Sequence, residues 1–152
     1  MTKHSARIVW NRTTENFDYE GYNRDHEWQF EGGIVINASA APKYKGNPDL
    51  VDPEEAFVAS LSSCHMLTFL AVASLKKIVI NSYEDLAEGV LEKSESGKLC
   101  MTKVVLRPVV KVGEGVEVQE EVFQEMHDKA HRECFIANSV TTQIIVEPKL
   151  VE

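Results

Sequence analysis

Residues 52–77 read DPEEAFVASLSSCHMLTFLAVASLKK, and this stretch decides the fold. Asp52 is suited to cap a helix N-terminus and Pro53 to occupy its first position. Glu55 falls where the acid of a capping box reaches back to the cap residue. The apolar residues that follow occupy nearly every face of a helix, which is typical of burial on all sides. We therefore predict a central buried helix from Pro53 to about Lys77.

The same stretch is also long enough to span a bilayer, because residues 56–75 contain no Asp, Glu, Lys or Arg. Four contiguous polar residues, 62–65, interrupt it and make membrane insertion poorly favoured. The sequence therefore predicts a helix buried in protein and no membrane partner.

Length, charge and the N-terminal sequence bear on the number of domains, the class of partner and the location of the protein. The chain has 152 residues, which predicts a single domain over residues 1–152. Its formal net charge of −8 opposes attraction to nucleic acid, so we expect no nucleic-acid partner. The N-terminus is basic but lacks the apolar segment of a signal peptide, and a cytoplasmic location is the default expectation.

Shorter segments flank the central helix. The first 37 residues alternate like an antiparallel meander. After the helix, the pattern predicts two strands, a second helix and a final strand, which makes an α+β fold. The predicted strands are 8–10, 16–20, 28–30, 34–36, 83–92, 99–112 and 141–146, and the second helix is 118–133.

Three cysteines, Cys64, Cys100 and Cys134, are an odd number without the density of a disulfide-stapled scaffold. In a reducing compartment, a cysteine pair is more often catalytic than structural. Cys100 lies on the apolar face of a predicted strand, which favours a buried, inert thiol.

The reactivity of the Cys64 thiol depends on the charges near its sulfur. Apolar surroundings raise the pKa of a thiol, and the positive end of the helix dipole has faded by the third turn. A reactive Cys64 therefore needs a nearby cation. Between Lys45 and Lys76 the sequence has no Lys or Arg, so the cation must come from elsewhere in the fold. Our candidate is Arg24.

Two motifs resemble the OsmC/Ohr family, and the resemblance covers nearly the whole chain. The family pattern starts a helix with Asn or Asp, Pro and Glu and places the peroxidatic cysteine ten residues after the Glu, which matches Glu54 and Cys64. Its second cysteine lies in an Ala-x-x-x-Cys-Pro-x-x-Asn stretch, which resembles AHRECFIAN at residues 130–138 and matches Cys134. Phe135 stands where the family usually has proline.

The resemblance implies an OsmC-like fold, with antiparallel sheets packed around the long buried helix, in an intertwined homodimer with sites at the subunit interface. It also implies a thiol peroxidase that reduces a hydroperoxide, in which Cys64 becomes a sulfenic acid and Cys134 closes a disulfide with it. An external dithiol, in the Ohr branch a lipoyl protein, would reopen this disulfide. The implied chemistry needs no metal and no organic cofactor.

Family members also use an arginine of the N-terminal sheet, which matches Arg24 within residues 22–26, to stabilise the thiolate, with Glu54 holding that arginine. Ten helical residues span about 15 Å, too far for Glu54 to contact Cys64 directly. Either Arg24 bridges the gap, held by Glu54, or a second subunit delivers Glu54. The sequence leaves both alternatives open.

Two other functions compete with this one. His127 and His131 stand one helical turn apart, with Cys134 three residues later, a spacing that suits a metal site. A closed zinc site needs four ligands and this set offers three, so histidines on an exposed helix face are the simpler interpretation. The other alternative is a dimeric binding protein that keeps the fold without the peroxidase activity.

Overall fold

The structure, a computed structural model, describes residues 1–151. By its internal contacts the chain divides into two compact units, Met1–Ala56 and Phe57–Glu152. The prediction of one domain over residues 1–152 stays a prediction.

The first unit contains an antiparallel sheet in the order β1-β2-β3, which confirms the predicted meander. Its strands are β1 (Ala6–Val9), β2 (His26–Phe30) and β3 (Val35–Ala38). The strand predicted at 16–20 is wrong. The Asp18 carboxylate accepts a hydrogen bond from the Gly21 backbone N–H at 2.8 Å, and the resulting turn overrides the local alternation.

Helix α1 (Pro53–Leu75) begins as predicted. The Glu55 N–H donates to Asp52 Oδ1 at 2.8 Å, and the Asp52 N–H donates to Glu55 Oε2 at 3.2 Å, so the capping box is confirmed. The helix ends two residues before the predicted Lys77. Lys77 has a φ of 61°, and this left-handed residue stops the helix.

The predicted burial of α1 on all sides is wrong for the single chain. One face is buried, whereas the opposite face is exposed, with Leu67 at 61% and Leu75 at 82%. The segment is apolar on both faces, so its pattern did not indicate which face meets the core of its own chain. By length and composition alone α1 is apolar enough to cross a membrane, a property that core helices of soluble proteins share. The buried face consists of Leu61, His65, Phe69, Val72 and Ala73.

The second unit contains two three-stranded sheets, ordered β4-β7-β9 and β5-β6-β8, and helix α2 (Glu120–Glu133). Each sheet pairs two strands antiparallel and adds one parallel strand, so both are mixed rather than wholly antiparallel. The sequence pattern missed β9. The strands are β4 (Ile80–Asp85), β5 (Glu88–Lys93), β6 (Leu99–Leu106), β7 (Pro108–Val112), β8 (Gln143–Val146) and β9 (Lys149–Val151).

The strands predicted at 83–92 and 99–112 are each divided between the two sheets. Asp85 lies at the first division and Arg107 at the second. The Asp85 carboxylate accepts the Arg107 backbone N–H at 2.6 Å and the Ser62 hydroxyl at 2.5 Å. These two hydrogen bonds connect the points where both predicted strands divide to Ser62 of α1, two residues before Cys64.

Two apolar clusters form the core of the second unit. The larger packs α1 against α2 and β7 through Phe69, Phe123 and Val110. The smaller packs the N-terminal half of α1 at Leu61 against Val104 and Leu106 of β6. Between them, these clusters fix where the middle of α1 meets the end of α2.

Candidate functional site

Cys64 and Cys134 come together where α1 meets the end of α2. Cys64 lies in the third turn of α1 and is partly exposed, whereas Cys134 is the C-terminal cap of α2 and only 1% exposed. Both are free thiols, and Cys64 is close enough to Cys134 to influence the pKa of its thiol. The two cysteines that the sequence singled out therefore face each other across the helix interface.

Burial keeps the Cys134 thiol protonated. Burial raises the pKa of its thiol to about 11, helped by the hydrogen bond and the charge of Cys64, whereas the N–H groups of Ala137 and Ile136 oppose the shift. The more accessible sulfur of the pair is that of Cys64.

The turn after Cys134 forms without the proline that the family pattern has there. Phe135 is exposed, and the Asn138 backbone N–H donates to the Cys134 carbonyl at 3.0 Å. The Asn138 side chain donates to the Arg132 carbonyl, also at 3.0 Å. Asn138 therefore satisfies carbonyls at the end of α2 and holds Cys134 in place.

Arg24 lies in the first unit, between β1 and β2. Its guanidinium donates to the Tyr22 carbonyl at 2.5 Å and to the Tyr19 carbonyl, and it lies 3.7 Å from the centre of the Tyr22 ring. Within residues 1–151, no salt bridge joins it to a carboxylate. Arg24 thus keeps an unneutralised positive charge, and its contact with Cys64 stays a prediction.

Glu54 lies in the first turn of α1 and is partly exposed. The part of the chain that the structure describes contains no ion pair between Glu54 and Arg24. The single chain therefore does not supply the link in which Glu54 holds Arg24. Delivery of Glu54 by a second subunit remains open.

Cys100 is exposed, so its assignment as a buried thiol is wrong. Its partner in β5 is Glu92, whereas that of Val104 is Gly89. The register irregularity between these two pairs therefore turns Cys100 to the face of β6 opposite Val104, contrary to simple alternation. The first residues of β6 pair with the end of β5 next to the turn at 94–97, beyond the reach of the core.

Next to the cysteine pair, the two helices bring together a buried histidine pair that sequence reasoning missed. His65 is 1% exposed and His127 is 0% exposed, so the interpretation of His127 as an exposed helix-face residue is wrong. The His65 Nε2 and His127 Nδ1 atoms are 3.0 Å apart. The one available signal was His65 itself, a titratable residue within an otherwise apolar helix segment.

Burial is the main influence on both rings. It lowers the pKa of His65 to about 4, with a smaller lowering from the charge of His131 and an opposing effect of Asp85. It lowers the pKa of His127 to about 3, with His65 adding to the effect and Asp128 opposing it. Both imidazoles are therefore neutral near pH 7, and an N–H of one donates to the bare nitrogen of the other.

Metal binding gains no support from this geometry. His127 Nδ1 is engaged by His65. Among residues 1–151, no group of three or more His, Cys, Asp or Glu side chains is arranged to hold a metal ion.

Comparisons with known proteins agree with the fold. A family model described as OsmC-like protein matches residues 46–149. An OsmC-like protein of unknown function from Vibrio cholerae is 45% identical, with a TM-score of 0.94 over 97% of this chain and 99% of that one. No functionally curated protein matches the chain in sequence.

More distant structures share the fold alone. The organic hydroperoxide resistance protein OsmC from Legionella pneumophila is 17% identical, with a TM-score of 0.70 over 100% of this chain and 98% of that one. OhrB of Bacillus subtilis, an organic hydroperoxide resistance protein, is 19% identical, with a TM-score of 0.60 over 97% and 98%. The expected OsmC-like α+β fold is confirmed.

Proposed function

Because this chain belongs to the OsmC-like protein family, we propose that it is a thiol-dependent peroxidase that reduces organic hydroperoxides and acts in peroxide defence. The observation that carries the proposal is the proximity of two free thiols, Cys64 and Cys134, where α1 meets the end of α2. The names of the Legionella and Bacillus structures suggest the substrate class, an organic hydroperoxide.

The two sulfurs differ in ways that suit two successive steps. The Cys64 thiolate attacks one peroxide oxygen, the O–O bond breaks, and an alcohol leaves after taking up a proton, so that Cys64 becomes a sulfenic acid. The Cys134 sulfur then attacks the Cys64 sulfur, the S–O bond breaks, and water leaves with the Cys134 proton. Partial exposure suits Cys64 to meet the substrate, and burial keeps Cys134 for the second step.

In this mechanism Arg24 stabilises the Cys64 thiolate and orients the peroxide, because a guanidinium is always charged and offers several donors. Its engagement by two carbonyls and the Tyr22 ring leaves its charge unneutralised, which favours this role. Glu54 of a second subunit holds the arginine, since residues 1–151 of the single chain contain no ion pair between them. An external dithiol, such as a lipoyl protein, reopens the disulfide, and this dependence suits a cytoplasmic protein.

A homodimer is part of the proposal. The exposed face of α1 presents small and apolar residues at four-residue spacing, which a second copy of the chain would cover. A site shared between subunits would also allow Glu54 of one chain to serve Arg24 of the other. The face consists of Ala59, Ser63, Leu67, Ala71 and Leu75.

Peroxide consumption tests the proposal directly. The protein is incubated with tert-butyl hydroperoxide, cumene hydroperoxide or hydrogen peroxide, with dihydrolipoamide as reductant. We expect Cys64→Ser to abolish consumption and Cys134→Ser to stop after one equivalent, with Cys100→Ser as the matched control that retains wild-type turnover. Peptide mapping should find a Cys64–Cys134 disulfide. Unchanged thiols in peroxide-treated wild-type protein would reject the proposal.

A further inference from the structure

The cysteine pair and the histidine pair are neighbouring contacts between the same two helices. Cys64 and His65 are adjacent in α1, and His127 precedes Cys134 by two turns of α2. Any shift of one helix along the other therefore changes both contacts together.

The contact between the two rings is an in-plane hydrogen bond rather than a face-to-face stack. The ring planes differ by 7°, and the ring centres are 5.3 Å apart. This separation exceeds the nitrogen–nitrogen distance of 3.0 Å by about one imidazole diameter, so both nitrogens lie near the line that joins the ring centres. Such a bond is directional, and it restricts both the distance and the relative position of the helices.

Apolar rings surround His127. The Phe69 ring lies against the His127 face at 4.2 Å, and Phe123 meets it edge-on at 4.7 Å. Yet His65 Nδ1 and His127 Nε2 are buried without a partner among the described residues. Two apolar rings would avoid both unsatisfied atoms, so packing alone does not account for the histidines. Unlike two apolar rings, a pair of imidazoles forms a directional hydrogen bond.

We propose that the His65–His127 hydrogen bond is a positioning contact that sets the Cys64 sulfur in register with the Cys134 sulfur for disulfide formation. The inference rests on the proposed function, because it assigns a task within the second step: Cys134–SH and Cys64–SOH give a disulfide and water. The histidines touch neither substrate nor sulfur in this role. They act through the two helices.

A redox equilibrium with glutathione measures the alignment of the Cys64 and Cys134 sulfurs without peroxide. The fraction of Cys64–Cys134 disulfide at fixed ratios of oxidised to reduced glutathione gives the effective concentration of one thiol toward the other. We expect His127→Phe, which keeps an aromatic ring at this position and removes the hydrogen bond, to lower this value about tenfold. His65→Phe should do the same, and the double variant should be no worse than either single variant.

Two further variants distinguish loss of the His65–His127 hydrogen bond from general loosening of the interface between the helices. His127→Asn places a polar side-chain atom near the position of Nδ1 and should recover most of the effective concentration. Phe123→Leu loosens the same interface without removing the hydrogen bond, so it should lower the stability to urea while leaving the effective concentration near that of wild type. If His127→Phe does not fold, His65→Phe supports the same comparison.

An effective concentration that His127→Phe leaves unchanged, or that Phe123→Leu lowers equally, would overturn the inference. Absence of rescue by His127→Asn would also count against it. A wild-type protein that forms the disulfide with glutathione but consumes no peroxide would refute the proposed function and leave the positioning role intact.

Discussion

Acid should destabilise this protein through its buried histidine pair. In the folded chain the pKa of His65 is about 4 and that of His127 about 3, against an ordinary value of 6.5. The unfolded chain therefore binds more protons than the folded chain below pH 6.5. Stability from this source is fully present above that pH and is lost as the pH falls toward the two folded values.

The magnitude follows from the size of the shifts. Lowering the pH from 7 to 5 should reduce the free energy of unfolding by about 2 kcal/mol for each histidine, or about 4 kcal/mol for both. This is a large part of the roughly 5–15 kcal/mol that holds a typical domain folded. The window also lies above the ordinary pKa values of about 4 for Asp and Glu, which limits their contribution.

Urea denaturation at pH 7 and pH 5, at one protein concentration, measures this loss. The matched variant is His127→Phe, in which one of the two titrating rings is gone. Other groups contribute similarly to both proteins, so we expect the loss between pH 7 and pH 5 to be about half as large in the variant. Equal losses in wild type and His127→Phe would refute the assignment of the acid sensitivity to the pair.

Three other perturbations test separate parts of the structure. Leu67→Glu should convert a dimer to monomers in light scattering, because it places a charge on the exposed α1 face. Leu67→Met is the control, and its dissociation to the same extent would argue against that interface. Asp52→Ala should lower the free energy of unfolding by about 1 kcal/mol through loss of the capping box, while Asp52→Asn retains most of it. Arg24→Met should lower kcat/KM for tert-butyl hydroperoxide at least about tenfold, and Arg24→Lys should lower it less. Turnover in Arg24→Met equal to that of wild type would show that Arg24 has no role in the site.

Local signals in the sequence predicted the local parts of the fold. The capping box of Asp52 and Glu55 acts over three residues, and the helix start therefore agrees with the structure. The end of the same helix depends on Lys77 adopting a left-handed conformation, which a basic residue does not signal. The cysteine pair was anticipated through family motifs rather than through geometry.

Contacts between distant residues account for what the sequence did not predict. The division of the two long strands depends on Asp85 meeting Arg107, 22 positions away. The hydrogen bond between His65 and His127 joins residues 62 positions apart. Exposure of Cys100 depends on the register irregularity between β5 and β6, which alternation alone does not reveal. Each of these outcomes is decided by packing between elements.

The order of the strands has a consequence for synthesis of the chain. Strands β8 and β9 follow Cys134, and each joins its sheet in parallel, beside β6 and β7 respectively. On the ribosome, both cysteines therefore emerge before either sheet of the second unit has its third strand. Such non-local pairing forms slowly. The core around the two helices is thus completed only after both cysteines have left the ribosome.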